Sequence, residues 1–190
     1  MSDSPQVPLP TLVVVTGPPG SGKTSLAHAI AAELPCPAVC RDELKEGMVH
    51  ALGGAFDPAP GDPLTQRTLP VFFDVLRLLL SAEASVVAEA AFQDRLWRSG
   101  LEPISELAQL RIVQCHVDAD VAHERIAGRS AARLGVSAHV VDPPEKELAE
   151  WKRAFAAFER LSLPAPSLDV DTTAGYAPEL PAIVSFVNQR

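Results

Sequence analysis

Eight residues, Gly17-Pro18-Pro19-Gly20-Ser21-Gly22-Lys23-Thr24, constrain this chain more than any other segment. They fit the pattern G-x-x-x-x-G-K-[ST] and directly follow Leu12-Val13-Val14-Val15-Thr16, an apolar, β-branched run. Bounded by Pro10 and Gly17, that run suits a strand buried on both faces, as in a parallel sheet. Ser25 to Leu34 reads as a helix that stops before Pro35. In this order, glycines let backbone N–H groups turn inward around an anion, and the helix adds its positive end. Lys23 then reaches β- and γ-phosphates, Ser25 follows at the helix start, and the Thr24 hydroxyl suits Mg²⁺. From this chain's own composition, an accidental match arises in roughly one such chain in 700.

The remaining sequence keeps alternating. Ala38-Val39-Cys40 is a second short strand, and Asp42 to Leu52 is a helix closed by Gly53-Gly54. Ala55 to Pro63 carries Pro58, Pro60, Pro63 and Gly61, which predicts a loop. Leu69, Phe72, Phe73, Leu76, Leu79 and Leu80 recur at the spacing of an amphipathic helix. Ser85 to Phe92 predicts a third strand, Leu101 to Leu110 a helix after Gly100, and Arg111 to Val117 a fourth strand. Asp120 to Gly128 is helical and runs into an arginine-bearing segment, Arg129 to Val141. Asp142-Pro143-Pro144-Glu145 has the N-cap, first-turn proline and N3 acid of a helix start; that helix buries Leu148, Trp151, Phe155 and Phe158. Ser167 to Val170 is a fifth strand and Glu179 to Gln189 a final helix. The pattern is α/β with a five-stranded parallel sheet.

Composition narrows the class. A length of 190 residues is one domain's worth, and 47% hydrophobic with 21% charged is globular. The 18 prolines, about twice the usual share of ~5%, fall between the predicted elements and punctuate one domain. A net charge of −8 repels polyanions, so broad nucleic-acid binding is disfavoured. Three cysteines, Cys36, Cys40 and Cys115, lack zinc-ligand spacing and read as buried thiols. No apolar run approaches the ~20 residues of a membrane span, and Met1 to Pro10 lacks the pattern of a leader. A cytoplasmic location and no membrane partner are expected.

A P-loop names a nucleoside triphosphate, not its fate. Arg41-Asp42-Glu43-Leu44-Lys45 follows the second strand, at the carboxyl end of the sheet where ligands gather. A carboxylate there suits proton removal from an attacking hydroxyl; Asp42 alternatively N-caps the next helix. Glu89 ends the third strand, with Gln93 and Arg95 beyond it. Arg125-Ile126-Ala127-Gly128-Arg129 and Arg133 either stabilise charge on a transferring phosphoryl group or are surface charge. Asp171-Thr172-Thr173 closes the fifth strand, as a turn or as a loop beside a ligand.

The run from the P-loop through Arg41-Asp42 to the Arg-x-x-x-Arg segment resembles the small P-loop kinases. These include polynucleotide 5′-hydroxyl kinases, zeta toxins, chloramphenicol phosphotransferase and the predicted kinases of the AAA-33 type. The resemblance spans Thr11 to about Thr173. It implies a three-layer P-loop NTPase fold of nucleoside-monophosphate-kinase type, with a core over 10–173, a helical lid over 129–142 and a C-terminal helix in 174–190. It implies ATP and Mg²⁺ as cofactors, Asp42 as general base, and Lys45 as an acceptor contact. Arg41, Gln93 and Arg133 are further acceptor-side candidates. Glu89, where the polynucleotide kinases have aspartate, takes a metal, acceptor or structural role, so Mg²⁺ is held by Thr24 with Asp42 or Glu89 through water. Arg125 and Arg129 would close over the γ-phosphate, and Thr172 and Thr173 would lie against adenine. The expected reaction moves the γ-phosphoryl group of ATP to a hydroxyl of a small molecule. A polynucleotide 5′-hydroxyl end is the alternative acceptor, disfavoured by the −8 charge, and a nucleotide-binding ATPase or switch is the alternative outside the kinases.

Overall fold

Five short strands carry the apolar runs of the sequence into one sheet. They are β1 (Thr11–Thr16), β2 (Ala38–Cys40), β3 (Val86–Glu89), β4 (Gln109–His116) and β5 (Ser167–Asp171). The computed structural model describes residues 8–52, 63–133 and 148–189, with 129–133, 148, 149 and 154 as backbone only. Strand order is β2-β3-β1-β4-β5, and every neighbouring pair is parallel. Parallel pairing requires crossovers, and helices supply them: α1 (Lys23–Glu33), α2 (Arg41–Ala51), α3 (Pro63–Ser81), α4 (Asp94–Ser105), α5 (Ala119–Arg133) and α6 (Leu148–Ala156). A last helix, α7 (Leu180–Val187), follows β5.

The two-residue period of β1 sorts its side chains between two cores. Leu12 and Val14 face a cluster with Phe72, Leu76, Phe92, Trp97 and Leu101. Val13 and Val15 face the opposite cluster with Leu26, Ile30, Ile183 and Val187. Because β1 is central, its carboxyl end delivers residues 17–24 to the middle of the sheet edge, where the strand order reverses.

Several boundaries differ from those the sequence predicts. The helix placed after Gly100 begins at Asp94 and runs through that glycine. A Cβ on Gly100 would lie 2.2 Å from Cε2 and Cζ of Phe73, so glycine here serves close packing of α4 on α3. The prolines do not all fall between elements either: Pro70 lies inside α3 and Pro103 inside α4. An interior proline costs about 3 kcal/mol. Burial of Phe72, Phe73, Leu76 and Leu80 along α3, at about 1.5–3 kcal/mol each, outweighs that.

The third strand stops at Glu89 instead of reaching Phe92. There the chain turns inward, the Thr16 hydroxyl donates to the Phe92 carbonyl (3.0 Å), and the ring packs 4.6 Å from Trp97. The helix α3 begins at Pro63, and α5 continues to Arg133. Trp151 and Phe155 lie on α6, whereas Phe158 follows its end. The loop predicted over 55–63, apart from Pro63 at the start of α3, and the helix start at Asp142 lie outside the described residues, as does most of the 129–142 lid.

Candidate active site

The turn at 17–24 leaves the start of α1 open for an anion. Gly22 caps α1 in the left-handed conformation and supplies no side-chain bond to the first-turn N–H groups. Gly20 has φ 80°, and a Cβ there would meet the Ala122 carbonyl oxygen at 2.6 Å. The Ser21 hydroxyl is buried without a hydrogen-bond partner among the described residues. Orphan donors and an uncapped helix end make a phosphate cradle.

Registry between strands brings the second half of the site to the first. Val15 of β1 stands beside Glu89 of β3, and Cys40 of β2 stands on the other side of Glu89. The Glu89 side chain is 2% exposed. Its Oε1 lies 3.8 Å from Lys23 Nζ, and its Oε2 accepts from the Thr24 hydroxyl at 3.2 Å. Burial pushes the Glu89 carboxyl above its ordinary value; the Lys23 ammonium opposes this and Asp42 adds to it. Two hard oxygens, the Thr24 hydroxyl and the Glu89 carboxylate, fit Mg²⁺.

Asp42 is not a helix cap. Cys40 is the N-cap of α2 and makes no side-chain capping bond; Asp42 lies in the first turn, its carboxylate 57% exposed. One oxygen accepts from Arg41 Nη1 at 2.8 Å, while Arg41 Nε is buried without a partner among the described residues. Lys45 is buried, with Nζ donating to Thr65 Oγ1 on α3. Gln93 is the half-buried N-cap of α4, and Arg95 pairs with Glu159 at 3.2 Å on the surface.

On the other side of the P-loop a cavity of about 580 Å³ opens, lined by Gly20, Gly22, Ser25, Arg125, Thr172 and Tyr176 among others. Arg125 donates to the carbonyls of Thr172 (2.7 Å) and Thr173 (3.1 Å), joining α5 to the loop after β5. The Thr172 hydroxyl is buried against the Ser21 carbonyl (2.8 Å), and Thr173 Oγ1 accepts from Asp118 N. These threonine side chains hold the cavity wall. Arg129 and Arg133 lie on α5 with side chains outside the described residues. Sequence reasoning overlooked Tyr176, the single tyrosine of the chain, and a cleft of about 150 Å³ where Phe155 and Phe158 face Pro18. A lone aromatic beyond the fifth strand carries no periodicity to mark it.

Strand order, cradle and the Lys23–Glu89–Thr24 cluster define a P-loop protein of kinase-like architecture. Residues 12–160 match the AAA_33 family, an AAA domain, and the chain belongs to that family. A candidate kinase from Chloroflexus aurantiacus J-10-fl superposes with a TM-score of 0.83 at 26% identity, covering 95% of this chain and 98% of that one. A gluconokinase from Sinorhizobium meliloti 1021 has a TM-score of 0.59 at 21% identity, covering 95% and 93%. A chain of the Pnkp1/Rnl/Hen1 RNA repair complex has a TM-score of 0.60 at 16% identity, covering 82% of this chain and 46% of that one. No protein of curated function matches the sequence.

Proposed function

We propose that the protein is an ATP-dependent kinase that moves the γ-phosphoryl group to a hydroxyl of a small molecule. The observation that carries this is Glu89, buried and reached by both Lys23 and Thr24 at the mouth of an open phosphate cradle. The triphosphate lies along residues 17–24, with its base in the 580 Å³ cavity. Lys23 meets the β- and γ-oxygens. Thr24 and Glu89 hold Mg²⁺, which when bound neutralises charge on those oxygens.

Asp42 takes the acceptor's proton. The acceptor oxygen then bonds to the γ-phosphorus, the bond to the bridging oxygen breaks, and ADP leaves with that oxygen. Positioning and electrostatics supply most of the acceleration, and no covalent enzyme intermediate is needed. Freed from capping and half open to solvent, the Asp42 carboxylate is available for this role. Arg125 shapes the base pocket through the Thr172 and Thr173 carbonyls, and Arg129, further along α5, keeps the γ-phosphate role that the family resemblance implies. Lys45, Arg41, Gln93 and Arg133 border the acceptor.

A small acceptor is favoured over a polynucleotide end by the −8 charge. The architecture is shared with a gluconokinase as well as with a chain of an RNA repair complex, so the charge decides. Incubation with γ-labelled ATP, Mg²⁺ and a panel of sugars, nucleosides, aminoglycosides and a 5′-hydroxyl oligonucleotide tests it. Label in a small acceptor supports the reading. Label in the oligonucleotide alone, or release as inorganic phosphate alone, overturns it.

A further inference from the structure

The carboxyl end of β2 carries a second group of polar side chains, outside the phosphate cradle. His28 of α1, Cys40 of β2 and Glu43 of α2 converge there. His28 Nε2 is 2.8 Å from Glu43 Oε1 and 3.7 Å from Cys40 Sγ, and the three ligand atoms lie within 4.8 Å of one another. The thiol is buried, whereas the imidazole and carboxylate are about half exposed, which leaves a path from solvent. The proposed phosphoryl transfer uses none of the three directly, although the Cys40 thiol also hydrogen-bonds to the Glu89 carboxylate on the neighbouring strand. Spacing of His28, Cys40 and Glu43 along the chain matches no metal motif, because three separate elements supply them.

An exposed imidazole–carboxylate pair would be ordinary surface chemistry. The sulfur makes the difference. A soft thiolate beside an imidazole and a carboxylate is the donor set of a borderline metal, not of magnesium or calcium. Around a tetrahedral zinc ion, an imidazole nitrogen and a thiolate sulfur stand about 3.5 Å apart. The observed 3.7 Å needs almost no adjustment, and the 2.8 Å pair opens by roughly half an ångström.

We propose that His28, Cys40 and Glu43 form a site for a zinc-type divalent transition ion, next to the magnesium position at Thr24 and Glu89 but with ligands of its own. Three protein ligands and one water complete a four-coordinate shell. Binding forms a metal–sulfur bond and releases the Cys40 proton to solvent. The ion fastens α1 to β2 and, through Glu43, to the first turn of α2, where Asp42 is the preceding residue. Its occupancy thereby sets how firmly that turn is held.

The full-length protein, stripped with a chelator and free of nucleotide, is titrated with Zn²⁺ against a chromophoric competitor. Co²⁺ is used in parallel for its spectrum. The expected result is one equivalent bound, with a sulfur-to-cobalt charge-transfer band, undisturbed by excess Mg²⁺. Cys36→Ser and Cys115→Ser should bind as the unaltered protein does. His28→Ala and Glu43→Gln change exposed residues and keep the fold, checked by thermal melts; each should weaken binding at least about tenfold. Cys40→Ser should abolish the charge-transfer band. Absence of that band in the unaltered protein overturns the assignment. So does binding that survives His28→Ala and Glu43→Gln, whatever Cys40→Ser does. The outcome is independent of the kinase reading.

Discussion

The Thr24 hydroxyl donates to Glu89 Oε2 at 3.2 Å, joining residues 65 apart through the adjacent strands β1 and β3. The contact sets a hydroxyl and a carboxylate side by side, the two hard oxygens proposed to hold Mg²⁺. Thr24→Ala should lower metal-supported phosphoryl transfer by about 10–100-fold, whereas Thr24→Ser should keep most of it. The Mg²⁺ dependence of the initial rate checks this. Equal loss in both variants would point to packing instead of a metal ligand.

Glu89 also carries a pH signature. Its carboxyl is raised above the ordinary value chiefly by burial, so just above that value the folded chain holds a proton that the unfolded chain has released. Stability therefore falls as pH rises through this window and levels off above the folded value. Glutamine does not titrate. The melting temperature of Glu89→Gln minus that of the unaltered protein should grow as pH is raised from about 4.5 and then plateau. Thermal melts over a pH series measure it, and a flat difference would contradict the assignment.

Arg125 bonds three carbonyls, those of Thr172, Thr173 and, more weakly, Gly20. Arg125→Ala should cost about 1–3 kcal/mol of stability, because charged donors to buried acceptors are lost. It should also raise KM for ATP more than it lowers kcat. Steady-state kinetics with varied ATP separates these. A pure kcat effect would mean that Arg125 meets the transferring phosphate.

Gly100 tests the α3–α4 packing. A Cβ there intrudes on the Phe73 ring, so Gly100→Ala should destabilise the fold by about 1–3 kcal/mol. In a Phe73→Ala background the same change should cost much less, since the blocking ring is gone. Urea denaturation of the four proteins measures the coupling.

The core of the architecture was legible where strong local signals coincide. Residues 11–24 combine an apolar β-branched run, special-φ glycines and a helix start, and β2 follows with the same bounds in sequence and structure. Boundaries failed where tertiary packing overrides punctuation. Gly100 and Pro103 signal breaks locally, yet α4 runs through both because Trp97, Leu101 and Ile104 are buried. The cap reading of Asp42 and its reading as a base were indistinguishable in sequence; a two-residue offset, with Cys40 as N-cap, removes the cap reading. The convergence of His28, Cys40 and Glu43 is a matter of fold alone, since three elements must assemble before it exists.

The claim that Asp42 removes the acceptor's proton is tested most directly by Asp42→Asn. Transfer of γ-label from ATP to the accepted hydroxyl compound is measured beside ATP affinity. The account predicts a loss of about 10²–10⁴-fold in transfer with ATP binding nearly unchanged, the size of a general-base contribution. Transfer at the unaltered rate in Asp42→Asn, alongside its abolition in Lys23→Ala, would contradict it.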